Sequence, residues 1–361
     1  MDGTVTLQDG QSSPQDAKPV NLALQGGGSH GAFTWGVLDR FLEDPRIHIE
    51  AISGTSAGAV NAVVLADGLM RGGPDAARER LRTFWDKVAE RAAFTPFHSN
   101  PLEALFGNWG LAFSPAQLWF EALARSLSPY EFNPLNINPL RDIIEEVVDF
   151  ERVRTCPDFR LFISATNVET GRVRVFSGDE LSADSVMASA CLPTLFQAVE
   201  IDGDHYWDGG YMGNPALFPF FYTSRSEDIV IVQINPVERK GVPRTSREIL
   251  DRVNEISFNA SLLRELRAVE FVQRLLADHA IDRSRYRDLK IHSIALHDDE
   301  RSYSAMSKLD ASRSFLQELF DHGRNAAKTF LDRHHDAIGN RSTVDIRRIF
   351  QGDGLDEPPP V

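Results

Sequence analysis

Short apolar runs alternate with helical patterns along the first seventy residues. The run at 19–24 predicts a buried strand, and the segment 32–42 carries apolar residues at a helical spacing. A second apolar run at 47–53 and a second helical segment at 59–69 repeat this order. Strand, loop and helix repeated in this way are typical of a parallel sheet covered by helices. The pattern therefore predicts an α/β fold with a mainly parallel central sheet.

Further strands follow after a segment of different character. Residues 74–150 carry helical patterns around an aromatic stretch at 94–120 that Pro, Gly and Asn interrupt, so we predict a mainly helical insertion and a candidate lid. Beyond it, apolar or alternating runs predict strands at 160–167, 172–176, 199–201, 205–207, 228–235 and 289–296. Long helical patterns at 246–278 and 312–338 predict a C-terminal helical region, 245–351, with one strand.

The organisation of the chain indicates one domain. No internal repeat or low-complexity linker divides residues 19–351, whereas 1–18 and 352–361 are polar or Pro-rich and are predicted to be disordered tails. No apolar run reaches the ~20 residues that span a bilayer, and no secretion signal stands at the N-terminus. We expect a cytoplasmic protein, with peripheral contact at a membrane as a further candidate location.

Composition and charge narrow the function classes. The 361 residues are 42% hydrophobic and 25% charged, which is ordinary for a globular protein. The 38 Lys and Arg against 52 Asp and Glu give a net charge of −14, which argues against nucleic-acid binding and weakens electrostatic docking on anionic lipid. Two cysteines, Cys156 and Cys191, are too few for a disulfide framework or a four-Cys zinc site, and Cys191 is expected to be a buried apolar residue.

A glycine-rich loop, GGGSHG at 26–31, lies between the first predicted strand and helix. Bare backbone N–H groups and a helix N-terminus suit such a loop to an anionic ligand. The loop also matches the G-x-G-x-x-G pattern of dinucleotide sites, which requires an acidic residue at the end of the next strand. Here Glu50 lies in mid-strand and Ser53 ends the strand, so a nucleotide site is the weaker interpretation.

The segment GTSAG at 54–58 follows the second predicted strand and opens the second helix. A G-x-S-x-G at such a turn is a nucleophile elbow, in which small neighbours, Gly54 and Gly58, allow a strained serine backbone. This turn would raise the hydroxyl of Ser56 above the edge of the sheet. The alternative is a close helix–strand packing turn without chemistry.

A third motif, Trp207-Asp208-Gly209-Gly210, follows an apolar strand. In isolation, Asp208 before two glycines is most simply explained as an Asp-Gly turn. Its functional interpretation depends on the order in which the three motifs occur.

That order resembles the patatin-like phospholipases, which have a glycine-rich oxyanion loop, then G-x-S-x-G, then D-G-G. These stand here at 26–31, 54–58 and 208–210, and the run ASACLP at 188–193 is also similar to the family. The resemblance covers most of residues 20–235. It implies a three-layer α/β/α patatin-like fold and the hydrolysis of acyl esters.

The resemblance also implies residue roles. Ser56 would be the nucleophile and Asp208 the general base of a Ser–Asp dyad, with no metal or cofactor. The oxyanion hole would be formed by backbone N–H groups at Gly26, Gly27, Gly28 and Ala57. An Asp at its ordinary pKa of about 3.9 is a poor base at neutral pH, so we expect burial near Trp207 to raise it.

Histidines distinguish this mechanism from a triad. An α/β-hydrolase would need a later His, and His297, which follows a strand, is the strongest candidate; the others are His279, His292, His322, His334 and His335. His30 and His205 lie near the motifs and are candidates to line the mouth of the site. Many family members carry Arg or Lys where His30 stands, which implies less fixed positive charge here.

The aromatic stretch 94–120 bears on the substrate. Its default interpretation is core, and the competing one is a lid or membrane-touching surface that admits an acyl chain. An apolar slot gains about 0.8 kcal/mol per buried CH₂, so we expect a phospholipid or lysophospholipid substrate. The alternatives are a non-lipid ester or thioester and an inactive lipid-binding scaffold.

Overall fold

The fold is an eight-stranded sheet between two layers of helices, seen in a computed structural model that describes residues 17–93, 128–157, 159–296 and 303–352. The strands are β1 Lys18–Leu24, β2 Ile47–Gly54, β3 Arg160–Asn167, β4 Val173–Phe176, β5 Val199–Ile201, β6 Asp204–Asp208, β7 Asp228–Gln233 and β8 Lys290–Ala295. The helices are α1 Gly31–Leu42, α2 Ala57–Ala93, α3 Pro129–Phe132, α4 Pro139–Val147, α5 Phe150–Arg154, α6 Ala183–Ser189, α7 Phe218–Thr223, α8 Ser246–Ala277, α9 Arg313–His334 and α10 Ile346–Gln351.

The sheet is mixed but mainly parallel. Hydrogen-bonded neighbours follow the order β5-β6-β3-β2-β1-β7-β8. The strands β2 and β6 pair with successive stretches of one edge of β3, and β4 pairs with its other edge. The strands from β3 through β2, β1 and β7 to β8 pair in parallel, whereas β4, β5 and β6 pair antiparallel. The predicted α/β class and mainly parallel sheet are therefore confirmed.

Both faces of the sheet are buried, which explains why its central strands are rich in apolar residues. In β1, Leu22 and Leu24 join one hydrophobic cluster and Ala23 joins the other. In β7, Val230 and Ile231 divide in the same way. The first cluster is closed by α1, α2 and α9, and the second by α7, α8 and α10. Helices thus cover both faces, which makes the three layers.

The long helix after β2 extends into the segment that was expected to be an insertion. Helical structure runs from Ala57 to Ala93 with a break at Gly72 and Gly73, where the backbone is not helical. Beyond the break, Leu81 and Phe84 lie fully in the main core. This part of 74–150 is therefore built into the fold on one side. Residues 94–127, which hold the aromatic stretch, lie outside the described residues, as do 1–16, 353–361 and His297.

The topology brings the ends of β2 and β6 together. Both pair with the same edge of β3, since β4 occupies the other edge. The strand β2 runs parallel to β3 and ends with Gly54 opposite Ile163. The strand β6 runs the opposite way and ends with Asp208 opposite Ala165. The two carboxyl ends therefore point at each other, and the residues that follow them meet.

Candidate active site

The candidate site lies at the carboxyl edge of the parallel strands. In register, Leu24 of β1 lies beside Gly54 of β2 and Val232 of β7, so the loops after all three strands leave the sheet together. Such an edge is where ligands bind in open α/β sheets. The glycine loop follows β1, and the Ser56 turn follows β2. Asp208 is the last residue of β6 and lies next to the Ser56 turn.

The Ser56 turn has the geometry of a nucleophile elbow. Ser56 adopts a left-handed backbone with φ of 52°, which is rare for a residue other than glycine. Its N–H donates to Ser189 Oγ at 2.8 Å. A Cβ at Gly54 would lie 2.7 Å from the Gly58 carbonyl oxygen, and a Cβ at Gly58 would clash with the Leu24 carbonyl, so both predicted glycines are required by close approach. This strained backbone lies immediately before α2, and the Ser56 side chain is half-buried there.

Asp208 is buried, with 1% of its surface exposed. Its Oδ1 accepts the Gly210 N–H at 2.7 Å, whereas Oδ2 has no hydrogen-bond partner in the described structure. Burial raises the pKa of Asp208 to about 7, against smaller lowering effects of the Gly210 N–H, the Ser56 hydroxyl and the charge of Lys308. The expected rise in the pKa of this carboxyl is therefore present.

The Ser56 hydroxyl and the Asp208 carboxyl are neighbours. The hydroxyl lowers the pKa of Asp208, although no hydrogen bond of standard geometry joins the two side chains. Catalytic hydrogen bonds are often loose before substrate binds and shorten in the complex. Around this pair, the Asp208 N–H donates to the Cys191 carbonyl at 2.7 Å, and Cys191 is buried as expected.

The glycine loop lies directly against the Ser56 turn, since a Cβ on Gly26 would stand 2.7 Å from Ser56 Cβ. The N–H of Gly26 donates to Asn214 Oδ1 at 2.7 Å, so this one predicted oxyanion donor is already engaged. Gly28 has φ of +56°. Among the described residues, the N–H groups of Gly27, Gly28 and Ala57 have no hydrogen-bond partner, so their role as oxyanion donors stays a prediction.

A buried amide network behind the loop was missed by the sequence analysis. Gln25 Oε1 accepts the N–H groups of Ile234 and Asn235, both at 2.9 Å, and Asn235 Nδ2 donates to the Gly26 carbonyl at 2.7 Å. Asn259 Oδ1 accepts from Gln25 Nε2 at 3.2 Å. Gln25 and Asn235 each follow a parallel strand at the same edge, a signal that could have identified them.

A second supporting group comes from α8 and was also missed. The N–H groups of Leu217 and Phe218 donate to Glu265 Oε2 at 2.9 and 2.8 Å, and the Asn214 N–H donates to Ser261 Oγ at 3.2 Å. Burial raises the pKa of Glu265 to about 7. Through Asn214, α8 thus supports the segment that holds the glycine loop.

No described histidine acts on the Ser56–Asp208 pair. His30 is buried and its Nε2 lies 2.7 Å from Ser307 Oγ, and His205 is part-exposed beside Glu169 and Glu200. That either histidine lines the mouth of the site stays a prediction. His292 is buried against Asp228 at 2.9 Å. Of the remaining triad candidates in the described ranges, His322 stacks edge-on to a core ring, and none of them affects Asp208.

Other chemistries find little support in the described ranges. The carboxylate of Glu50 accepts hydrogen bonds from the backbone N–H groups of Arg225 and Ser226. It therefore connects a loop to the sheet and is not free to bind the ribose of a dinucleotide. No three His, Cys, Asp or Glu side chains there form a metal-binding group. No helix of the described segments is long and apolar enough to cross a bilayer.

Comparison with protein families matches residues 22–221 to the family described as Patatin-like phospholipase. The matched region is more than half of the chain and contains Ser56 and Asp208. The chain therefore belongs to the patatin-like phospholipase family. No curated protein gives a significant sequence match to it.

Two solved structures are similar in outline. VipD from Legionella pneumophila has 15% identity over 88% of this chain and 67% of its own, with a TM-score of 0.40. ExoU, in complex with SpcU of the type III secretion system of Pseudomonas aeruginosa, has 14% identity over 87% of this chain and 53% of its own, with a TM-score of 0.29. The chain thus spans about two thirds of VipD and half of ExoU.

Proposed function

We propose that this protein is a lipid acyl hydrolase that cleaves an acyl ester of a phospholipid or lysophospholipid through Ser56 and Asp208. One observation carries the proposal: a serine on a strained turn lies beside a buried carboxyl group whose pKa is about 7. A base with a pKa near the working pH is the most effective proton acceptor. The family supports the choice of a lipid ester.

In the first half-reaction, Asp208 accepts the proton of the Ser56 hydroxyl as Oγ attacks the ester carbonyl carbon. The carbonyl oxygen becomes an oxyanion, and the free N–H groups of Gly27, Gly28 and Ala57 donate to it. Loss of one such donor typically costs on the order of 3 kcal/mol of transition-state stabilisation. The carbon–oxygen bond to the alcohol then breaks, and the alcohol leaves with the proton from Asp208.

In the second half-reaction, Asp208 takes a proton from water, and the hydroxide formed attacks the acyl group on Ser56. The same amides hold the second oxyanion. The bond to Oγ breaks, Ser56 recovers its proton from Asp208, and a fatty acid is released. One carboxylate serves both steps, since it returns to its starting charge after each one.

This mechanism fixes the direction of the pH dependence. Asp208 accepts a proton only as a carboxylate, which predominates above its pKa of about 7. We therefore expect kcat/KM to fall as the pH falls through about 7. A second effect concerns folding: because the pKa is raised in the folded state, the buried carboxyl stabilises the fold at low pH and loses that contribution as the pH rises through 7.

The test is product analysis by mass spectrometry from a mixed pool of phospholipids and lysophospholipids. We expect free fatty acid from the wild type, and a loss of at least about 10³-fold in rate from Ser56→Ala and from Asp208→Asn. Matched controls are Ser257→Ala, on the outer part of α8, and Asp179→Asn, on an exposed turn, which should retain the wild-type rate.

The outcomes separate the alternatives. If either Ser56→Ala or Asp208→Asn keeps most of the wild-type rate while folded, the dyad is wrong. Turnover of short acyl esters without any lipid product would instead favour a non-lipid ester. If a fluorophosphonate fails to label Ser56 in folded wild-type protein, the scaffold interpretation replaces the enzyme.

A further inference from the structure

A short 3₁₀ turn from the C-terminal region packs on the glycine loop. This turn, Ala305–Leu309, contacts the Gly28–His30 turn at two points. The Lys308 carbonyl lies so close to Gly28 that a Cβ there would clash with it. His30 Nε2 lies 2.7 Å from Ser307 Oγ. His30 and Ser307 thus meet beside the glycine loop although they are 277 positions apart in sequence.

The side chain of Lys308 reaches into the network that holds the loop. Its Nζ donates to Asn235 Oδ1 at 2.7 Å and stands 5.7 Å from the centre of the Phe258 ring. Asn235 extends this contact to the loop, because its Nδ2 donates to the Gly26 carbonyl. A cation, one amide and one carbonyl thus connect the C-terminal region to the glycine loop.

Within the described residues, no carboxylate forms an ion pair with Lys308. Among the carboxylates that act on Lys308, Glu255 has the largest effect, but Arg239 donates to both of its oxygens at 2.8 Å and Arg252 donates to one of them at 3.3 Å. Burial lowers the pKa of Lys308. The negative charges of Glu255, Asp251 and Asp208 raise this pKa, and the positive charge of Arg239 lowers it.

The remaining titratable neighbours of Asp208 carry no charge at neutral pH. Burial raises the pKa of Cys191 and of Tyr211 to about 12, and both groups are therefore neutral there. Among the described groups that act on the pKa of Asp208, Lys308 is the one with a positive charge.

We infer that Lys308 is a positioning residue of the proposed hydrolase site, which holds the Gly26–Gly28 loop through Asn235 and whose positive charge acts on Asp208. This inference rests on the proposed function. The C-terminal region would then support the glycine loop, since Asn235, Phe258 and Lys308 all lie outside the family-matched residues 22–221.

The experiment compares Lys308→Met, which removes the charge, with Lys308→Arg, which keeps it. The matched control is Lys290→Met, because Lys290 is also largely buried and pairs with Glu227 at the far end of β8. Two quantities are measured: the pH profile of kcat/KM on a short acyl ester, and amide hydrogen exchange of the peptide containing 24–31. Exchange requires no turnover.

We expect Lys308→Met to shift the acid limb to higher pH, because a lost positive charge raises the pKa of Asp208. A shift of one pKa unit corresponds to roughly a tenfold greater loss at pH 6 than at pH 9. Exchange at Gly26 and His30, whose N–H groups are bonded in the native loop, should be faster. Lys308→Arg and Lys290→Met should resemble the wild type in both measurements.

The inference is overturned if Lys308→Met exchanges and titrates as the wild type does. If Lys308→Met fails to fold, Lys308→Gln replaces it; this variant removes the charge but keeps a hydrogen-bond donor, so its acid limb should shift as for Lys308→Met, and an unshifted acid limb overturns the inference. A wild type that hydrolyses no ester at any pH would contradict the proposed function, and exchange alone would then decide whether Lys308 holds the loop.

Discussion

The Ser56 turn and the glycine loop meet face to face, but different parts of the chain support them. The turn is held by Ser189, by Thr55 Oγ1 donating to the Gly213 carbonyl, and by Ser53 Oγ donating to the Ala216 carbonyl. All of these partners lie within the family-matched region. The glycine loop is held by Asn214 within that region and by Asn235 and Lys308 beyond it.

The segment 213–216 therefore supports both the turn and the loop, and the loop depends in addition on Asn235 and Lys308 further along the chain. The turn that carries the nucleophile is held by bonds from the end of β2 to Ser189, at the end of α6, and to Gly213 and Ala216, between β6 and α7. The oxyanion amides depend on partners drawn from three distant segments. We therefore expect variants of the loop supports to reduce transition-state stabilisation more than variants of the turn supports do.

The largest effect is expected from Gly26→Ala, because this glycine is where the two regions touch. A methyl group there would lie 2.7 Å from Ser56 Cβ and 2.8 Å from the Thr55 carbonyl oxygen, so one of the two segments must move. We expect kcat/KM to fall by roughly 100-fold or more, with a stability loss of about 1–3 kcal/mol measured by urea unfolding.

The control is Gly171→Ala, at an exposed hairpin turn with φ of +63° and no neighbour within 4 Å. It should cost about 1 kcal/mol of stability through backbone strain and leave kcat/KM unchanged. Equal kinetic losses in the two variants would mean that general destabilisation, and not the contact between loop and turn, causes the effect.

Asn235→Ala and Ser189→Ala compare one support of each region directly. Asn235→Ala removes the donor to the Gly26 carbonyl and the acceptor for Lys308, so we expect kcat/KM to fall by roughly 30- to 100-fold. Ser189→Ala removes the hydroxyl that accepts the Ser56 N–H, and we expect kcat/KM to fall by roughly 3- to 10-fold. The measurement is steady-state kinetics on one short acyl ester.

The order of these two losses is the informative result. A larger effect from Ser189→Ala would show that the turn, and not the loop, limits catalysis. Melting temperatures of the two variants serve as the control, since both remove a fully buried polar side chain.

Much of the fold followed from local patterns. The strand predicted at 160–167 is observed at Arg160–Asn167, and 199–201 is likewise observed, because each run is bounded by clear turn residues. The helix predicted at 246–278 ends one residue earlier, where Asp278 caps it. Local periodicity determines such elements because each must bury one face against the sheet.

The candidate site was predictable only in its reactive groups. Ser56 and Asp208 stand in motifs whose glycines are forced by close approach, so their signal is local. Asn214, Asn235 and Lys308 act through contacts that span 73 to 209 positions in sequence, and no local pattern records such contacts. The engaged N–H of Gly26 was unforeseen for the same reason, because its partner is Asn214.

Activation of Ser56 by Asp208 is tested most directly by the rate of fluorophosphonate labelling of Ser56 as a function of pH. We predict that the wild-type rate rises about tenfold between pH 6 and pH 8, with a midpoint near 7 as Asp208 ionises, and that this rise is absent in Asp208→Asn. A wild-type rate without that midpoint, or the same midpoint in Asp208→Asn, would contradict the claim that this carboxylate activates Ser56.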